Sequence, residues 1–409
     1  NLASAYHSVG RVEEAITLFE QVLADSRRVL GDDHPSTLGS VNSLASAYRS
    51  VGRVEEATTL FEQVLADRRR VLGDDHPNTL TSVNNLAGAY QSAGRVEEAT
   101  TLFEQVLADR RRVLGDGHPS TLGSVNSLAG AYRAVGRVEE AITLYEQVLA
   151  DRRRVLGDGH PNTLTSVNNL ASAYQSAGRV EEAITLFEQV LADSRRVLGD
   201  GHPNTLGSVN SLAGAYRAVG RVEEAITLYE QVLADSRRVL GDDHPNTLTS
   251  VNNLASAYRA VGRVEEAITL FEQVLADRRR VLGDDHPNTL TSVNSLASAY
   301  RSVGRVEEAI TLFEQVLADR RRVLGDDHPN TLTSVNNLAS AYRSAGRVEE
   351  AITLFEQVLV DSRRILGDAH QLTRTIAANL QRAVGATKSS ERAVDASPAA
   401  NNKSQEQAE

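Results

Sequence analysis

The stretch HPNTLTSVNNLAGAYQSAGRVEEATTLFEQVLADRRRVLGDG, from His76 to Gly117, decides how the chain is read. His118 begins the same 42-residue unit again, and the unit-opening histidines fall at His34, His76, His118, His160, His202, His244, His286, His328 and His370 with no insertion. A fixed period in this range is the signature of a repeat architecture, and it makes one solenoid of a 409-residue chain whose length alone suggests two or three domains. Function is therefore sought on a surface that repeats.

Within the unit, Leu80, Val83, Leu86, Ala87 and Tyr90 recur at helical spacing, which predicts a helix over about 78–93 with one apolar face. Pro77 stands where a first-turn proline is tolerated, and Gly94 supplies a left-handed exit. A second helix follows, carrying Val96, Ala99, Phe103, Val106 and Leu107 on its apolar face. Glu97 and Glu98 open it, Arg110 to Arg112 close it, and Gly115 stops it, so both ends complement the helix dipole. One such antiparallel pair cannot bury both apolar faces, so units must stack into a continuous core. Ala87, Gly88 and Ala89 allow close approach and Phe103 fills the space opposite, so Leu86→Ala is expected to cost about 2–5 kcal/mol.

At these residues the chain resembles the tetratricopeptide repeat, whose signature is matched by Leu86, Ala87, Tyr90, Ala99, Phe103 and Val106. The unit exceeds the usual length of that repeat, and NNLAxAY, GRxEEA and LGDxHP together look like the variant found in kinesin light chains and many bacterial tetratricopeptide proteins. The resemblance extends to the repeat, not to kinesin itself. It implies an all-α, right-handed superhelical solenoid of antiparallel helix pairs. Fold of this kind does not fix function.

Residues 1–370 read as nine tandem repeats, the first truncated at its N-terminus, because Asn1 aligns with Asn85 in mid-helix. The chain contains no Met, so it reads as a fragment of a longer protein. After His370 the expected proline is Gln371, and Leu372, Ile376 and Leu380 predict one capping helix over 371–385, with Arg374, Gln381 and Arg382 toward water. Residues 386–409 are polar and poor in large apolar side chains, which predicts a disordered tail. Lysine occurs only at Lys388 and Lys403, leaving 41 arginines among 43 basic residues, a bias expected of a GC-rich, actinomycete-like bacterial genome. The formal net charge is −11, no apolar run approaches the length of a membrane span, and the absence of Cys removes disulfides and fits a cytoplasmic protein.

The nine histidines invite a metal reading, but helices pack about 8–10 Å apart, which keeps equivalent histidines too distant for one ion. They read as loop residues before the helix proline, with anchoring to nearby acids as a local role. Glu97 and Glu98 are adjacent on a helix and so point about 100° apart rather than at one substrate. No GxxxxGK[ST] loop occurs, and no single unit stands out as a catalytic one; the expectation is a protein that is not an enzyme and takes no cofactor or metal. The arginine triplets, offset by more abundant acids, read as a solvated helix face rather than a nucleic-acid stripe.

In the family it resembles, the first helix of each pair lines a concave groove that takes extended peptides. Carried over, the groove would include Asn84, Asn85, Gly88 and Gln91. Asn84 recurs without exception as Asn42, Asn126, Asn168, Asn210, Asn252, Asn294 and Asn336. A ladder of carboxamides can hydrogen-bond a peptide backbone, or it can bond the adjacent helix and hold the stack in register. The next residue alternates between Ser and Asn, from Ser43 and Asn85 to Ser295 and Asn337. The position after the tyrosine runs His7, Arg49, Gln91, Arg133, Gln175, Arg217, Arg259, Arg301 and Arg343. If these arginines face the groove, it should prefer acidic or carboxylate-ended segments. The resulting expectation is a monomeric, non-catalytic peptide- or protein-binding scaffold without nucleic-acid or membrane partners. The alternative is the C-terminal sensor arm of a larger bacterial signalling ATPase of the STAND type, whose nucleotide-binding part lies upstream.

Overall fold

The computed structural model describes residues 2, 3, 6, 12–368 and 370–395, with backbone alone from 386 onward; Asn1, His7 and residues 396–409 lie outside the described residues. Eighteen helices follow one another: α1 Val12–Leu30, α2 Pro35–Ser50, α3 Val54–Leu72, α4 Pro77–Ser92, α5 Val96–Leu114, α6 Pro119–Ala134, α7 Val138–Leu156, α8 Pro161–Ser176, α9 Val180–Leu198, α10 Pro203–Ala218, α11 Val222–Leu240, α12 Pro245–Ala260, α13 Val264–Leu282, α14 Pro287–Ser302, α15 Val306–Leu324, α16 Pro329–Ser344, α17 Val348–Leu366 and α18 Gln371–Asp395. Below, the helices that begin a unit are A helices and their partners B helices.

Each A helix is started by its histidine. His76 Nδ1 accepts the backbone N–H of Asn78 at 3.1 Å, and Pro77 occupies the first turn, where no N–H is needed. The anchoring partner is thus backbone, not the nearby acids expected from sequence. Gly94 ends the helix at φ +75°, and Gly115 ends the B helix at φ +85°, conformations open to glycine without strain. The B helix has no side-chain cap. Instead Arg95 stacks on the Tyr90 ring at 3.8 Å and donates two hydrogen bonds to Glu98, while the Tyr90 hydroxyl donates to Glu62 of the preceding B helix at 2.8 Å. The tyrosine and the GRxEE motif therefore form one corner brace, repeated from Tyr48 with Arg53 to Tyr342 with Arg347.

The core runs along the stack as three clusters of buried side chains, bridged by half-buried Tyr90 and Leu102 and by half-buried Tyr258 and Leu270. Ala87, Ala89 and Ala99 are fully buried, as are Phe61, Phe187, Phe271, Phe313 and Phe355, and Leu86 keeps 5% of its surface. The arginine triplet is not one solvated face. The first member, Arg68, is buried and donates to the Asn78 carbonyl at 2.9 Å and the Ser82 hydroxyl at 2.8 Å on the next A helix. Arg69 pairs with Asp74, and Arg70 reaches back to Asp33 in the turn before its own A helix. Successive helix positions turn about 100°, so three identical side chains meet three surroundings.

The last helix also departs from expectation. It runs to Asp395, past the anticipated end at Gly385, so residues 386–395 are helical instead of belonging to a tail. Along its start Ile376 is buried, whereas Arg374, Gln381 and Arg382 are exposed.

Successive A helices approach one another more closely than successive B helices do, so the A helices follow the shorter, inner circumference of a curved stack. The curvature closes a turn in slightly under six units. His286 meets the Ser50 carbonyl and His328 the Ser92 carbonyl, each 236 residues away, so the second turn of the superhelix rests on the first.

Candidate functional site

The inner wall is built from the outward positions of the A helices. Arg49, Asn84, Asn85, Gly88, Gln91 and Asn126 line one hollow of about 560 Å³, together with Asn169 two units on. The residues expected to share a groove are thus brought together by A helices of successive units.

The asparagine ladder splits in two. Asn85 donates its amide to Asn42 Oδ1 at 2.8 Å, Asn169 to Asn126 at 2.8 Å, Asn253 to Asn210 at 3.4 Å and Asn337 to Asn294 at 2.9 Å. Asn379 of the capping helix donates to Asn336 at 3.0 Å, a rung concealed from the sequence reading by the loss of the surrounding motif. Where the donor position is serine, the hydroxyl turns back on its own helix, as Ser127 does to the Gly123 carbonyl at 3.2 Å. The Oδ1 atoms of Asn84, Asn168 and Asn252, which precede those serines, are buried with no partner among the described residues. The Ser/Asn alternation is therefore a two-unit alternation between linked and unlinked carboxamides.

The arginines differ as well. The Arg133 guanidinium faces the hydroxyl of Tyr145, and that of Arg217 the hydroxyl of Tyr229; burial pushes both phenols up while the guanidinium opposes the shift. These tyrosines stand where other units have phenylalanine, and each hydroxyl fits above a glycine, 3.6 Å from where a Cβ of Gly130 or Gly214 would be. Above Gly88 the opposite phenylalanine leaves that space to the Arg49 guanidinium. Among the described residues, Arg49, Arg259, Arg301 and Arg343 have no carboxylate within 4.0 Å. Burial pulls Arg49 down; it also pulls Arg259 down, with the charge of Arg217 adding, and Arg301 down, with Arg343 and Arg259 adding. Arg217 to Arg343 thus form a column of like charges on one wall, in mutual electrostatic range. Outside, by contrast, Arg53, Arg95 and Arg137 are all ion-paired.

No group of three or more His, Cys, Asp or Glu that could hold a metal ion occurs among the described residues, and no described helix is long and apolar enough to cross a membrane. What the wall offers is hydrogen-bonding carboxamides and uncompensated positive charge along an extended track.

A helical-repeat solenoid with its A helices on the concave side defines the class. Family profiles for the tetratricopeptide repeat match residues 38–112, 121–193, 166–208, 206–276, 250–319 and 290–359, and a second such profile matches 1–36; the chain belongs to the tetratricopeptide-repeat family. Repeats of this family are typical scaffolds of protein–protein interaction. No curated protein matches the chain. Among solved structures, it is similar to the nearly identical TPR-like repeats of a Podosopora anserina protein described as a putative kinesin light chain, at 45% identity, covering 50% of this chain and 97% of that one with a TM-score of 0.43. BtubC (BKLC) of P. vanneervenii matches at 20% identity over 60% of this chain and 92% of that one, with a TM-score of 0.43. A Rap protein solved in complex with Competence and Sporulation Factor matches at 10% identity over 87% of this chain and 99% of that one, with a TM-score of 0.52, a likeness of fold alone.

Proposed function

We propose that the chain is a non-catalytic scaffold that holds an extended, acidic protein segment against its concave wall. One observation carries the reading: the arginines of the inner wall lack carboxylate partners, whereas those of the corner braces are ion-paired. A half-buried guanidinium without a counter-charge is unfavourable, and an incoming carboxylate that bridges two of its N–H groups removes that penalty. The tract Arg259, Arg301 and Arg343 is the anchor, because Arg133 and Arg217 already face tyrosine hydroxyls. The carboxamides then hold the backbone of the segment, whatever its side chains.

The test is fluorescence anisotropy with a labelled glutamate-rich peptide at several salt concentrations. Replacing Arg259 and Arg301 together by Ala should weaken binding by roughly tenfold or more and flatten its salt dependence. Replacing Arg217 alone should do less. Equal affinity and equal salt slope in the double variant would remove the idea.

A further inference from the structure

The nine unit-opening histidines are identical in sequence and all cap an A helix, yet three of them do something more. His286 and His328 keep under a tenth of their surface, whereas His34 and His118 are exposed. The difference is the neighbouring turn. His286 Nδ1 accepts from the Asn288 N–H at 3.0 Å, which leaves Nε2 as the protonated nitrogen, and this N–H donates to the Ser50 carbonyl at 3.2 Å. His328 repeats the arrangement, with Asn330 at 3.0 Å and Ser92 at 3.1 Å. His370 caps Leu372 at 3.1 Å and comes up to the next equivalent position, its ring facing the backbone at Ala134 and its Cα 3.9 Å from where a Cβ on Gly136 would be. Ser50, Ser92 and Ala134 each end an A helix of the first turn.

The approach at these points is close. Pro287 Cδ lies 2.6 Å from where a Cβ on Gly52 would be, and Pro329 Cδ lies 3.0 Å from one on Gly94. To either side of these two points the seam is loose. A hollow of about 710 Å³ separates Val12, Glu13 and Glu14 from Gly241 to His244, and another of about 400 Å³ separates Val96 and Thr100 from Ile365 and Leu366. The two turns are thus fastened at discrete points along a seam that is otherwise partly open.

We propose that His286, His328 and His370 are a latch that holds the superhelix wound, so that a partner segment reaches the concave wall from the side only when this seam opens. The wound state stands on the geometry above. The gating half rests on the reading of the wall as a binding surface.

The experiment separates latch from cap. Asparagine is a good N-cap but too short to reach the facing carbonyl, so the triple variant H286N/H328N/H370N keeps its helix starts and loses the seam bonds. The matching control is H76N/H118N/H160N, whose histidines cap without contacting another turn among the described residues. Small-angle X-ray scattering of the full chain should give a longer maximum dimension for the latch variant and an unchanged one for the control, with equal far-UV circular dichroism. Superimposable scattering from the two variants overturns the latch. A fluorescein-labelled oligoglutamate peptide should then associate several-fold faster with the latch variant. Expansion without faster association overturns the gate and leaves the latch. If neither protein binds the peptide, the acidic-segment reading and its gate fall together, and the scattering still decides the latch.

Discussion

At the scale of single residues, the alternation of Ser and Asn beside a constant Asn shows how one side chain sets the strength of a joint. Asn84 Oδ1 is buried without a partner because Ser127 is too short to reach it, whereas Asn42 receives the amide of Asn85. Ser127→Asn should install the missing rung and stabilise the chain by about 1 kcal/mol, measured by urea denaturation. A loss of stability would mean the site cannot accept the larger side chain. The histidines carry a second residue-scale consequence. Burial pulls His286, His328 and His370 below the ordinary 6.5, with Arg278, Arg320 and Arg374 adding on their own turn, while the facing turn offers backbone carbonyls. Those carbonyls favour the charged ring, but burial outweighs them and protonation also removes the Nδ1 acceptor that caps the A helix, so the seam's contribution is complete above 6.5 and fades as pH falls through the lowered values. Asp75 and Asp285 stay ionised well below this window, held down by Arg112 and Arg322. Scattering at roughly pH 5 should therefore show expansion in the wild type and no further change in the latch variant. An unchanged wild type would contradict the linkage. The asparagine positions were legible in the sequence because they repeat, but their partners lie 43 residues away across a joint that no local pattern displays.

At the scale of elements, helix boundaries were legible because proline and glycine punctuate every unit, and the periodicity between them is strict. The ties between helices were not. Arg68, Arg69 and Arg70 look alike in sequence, and only their helical phase sends one inward, one to the turn ahead and one back across the unit boundary. The backward tie depends on a single acid. Arg112 bridges to Asp75, but the equivalent of Asp75 is glycine at Gly117, and Arg154 there bonds only Asp151 of its own helix. Gly117 has negative φ, and the nearest atom to an added Cβ is Arg154 Nη2 at 3.9 Å. Gly117→Asp should complete the bridge and reduce the freedom of the unfolded chain, a small gain in stability. Chemical denaturation at low and high salt checks it, since the ionic share alone should shrink with salt. No gain at low salt would show that the bridge contributes nothing.

At the scale of the whole molecule, the period fixed one solenoid, but the pitch depends on tilts of a few degrees summed over six units, which no residue pattern encodes. The same summation makes the weakest joint matter most, because in a stack whose units touch only their neighbours, opening begins where the interface term is smallest. Two ties vary along the chain. The buried arginine that reaches the next A helix is present at Arg68, Arg110, Arg152, Arg278 and Arg320, and becomes Ser194 and Ser236 in α9 and α11. The Asp bridge is missing for the same two helices, where Gly159 and Gly201 stand in its place, so among the described residues Arg196 and Arg238 pair only within their own helix. Ser194 Oγ is moreover buried without a partner. Among the internal helices, both ties are thus absent together only around α9 to α12, which lies inside the ring of residues closed by the histidine latch. If the seam opens, the strain of unwinding falls on this stretch. Amide hydrogen exchange should be fastest, among the internal helices, in α9 to α12, and Ser194→Arg combined with Gly159→Asp should slow it there while leaving α4 to α6 unchanged. Uniform protection along the stack, or a slowing spread over all units, would show that the solenoid opens as one cooperative body and that these ties do not govern where it yields.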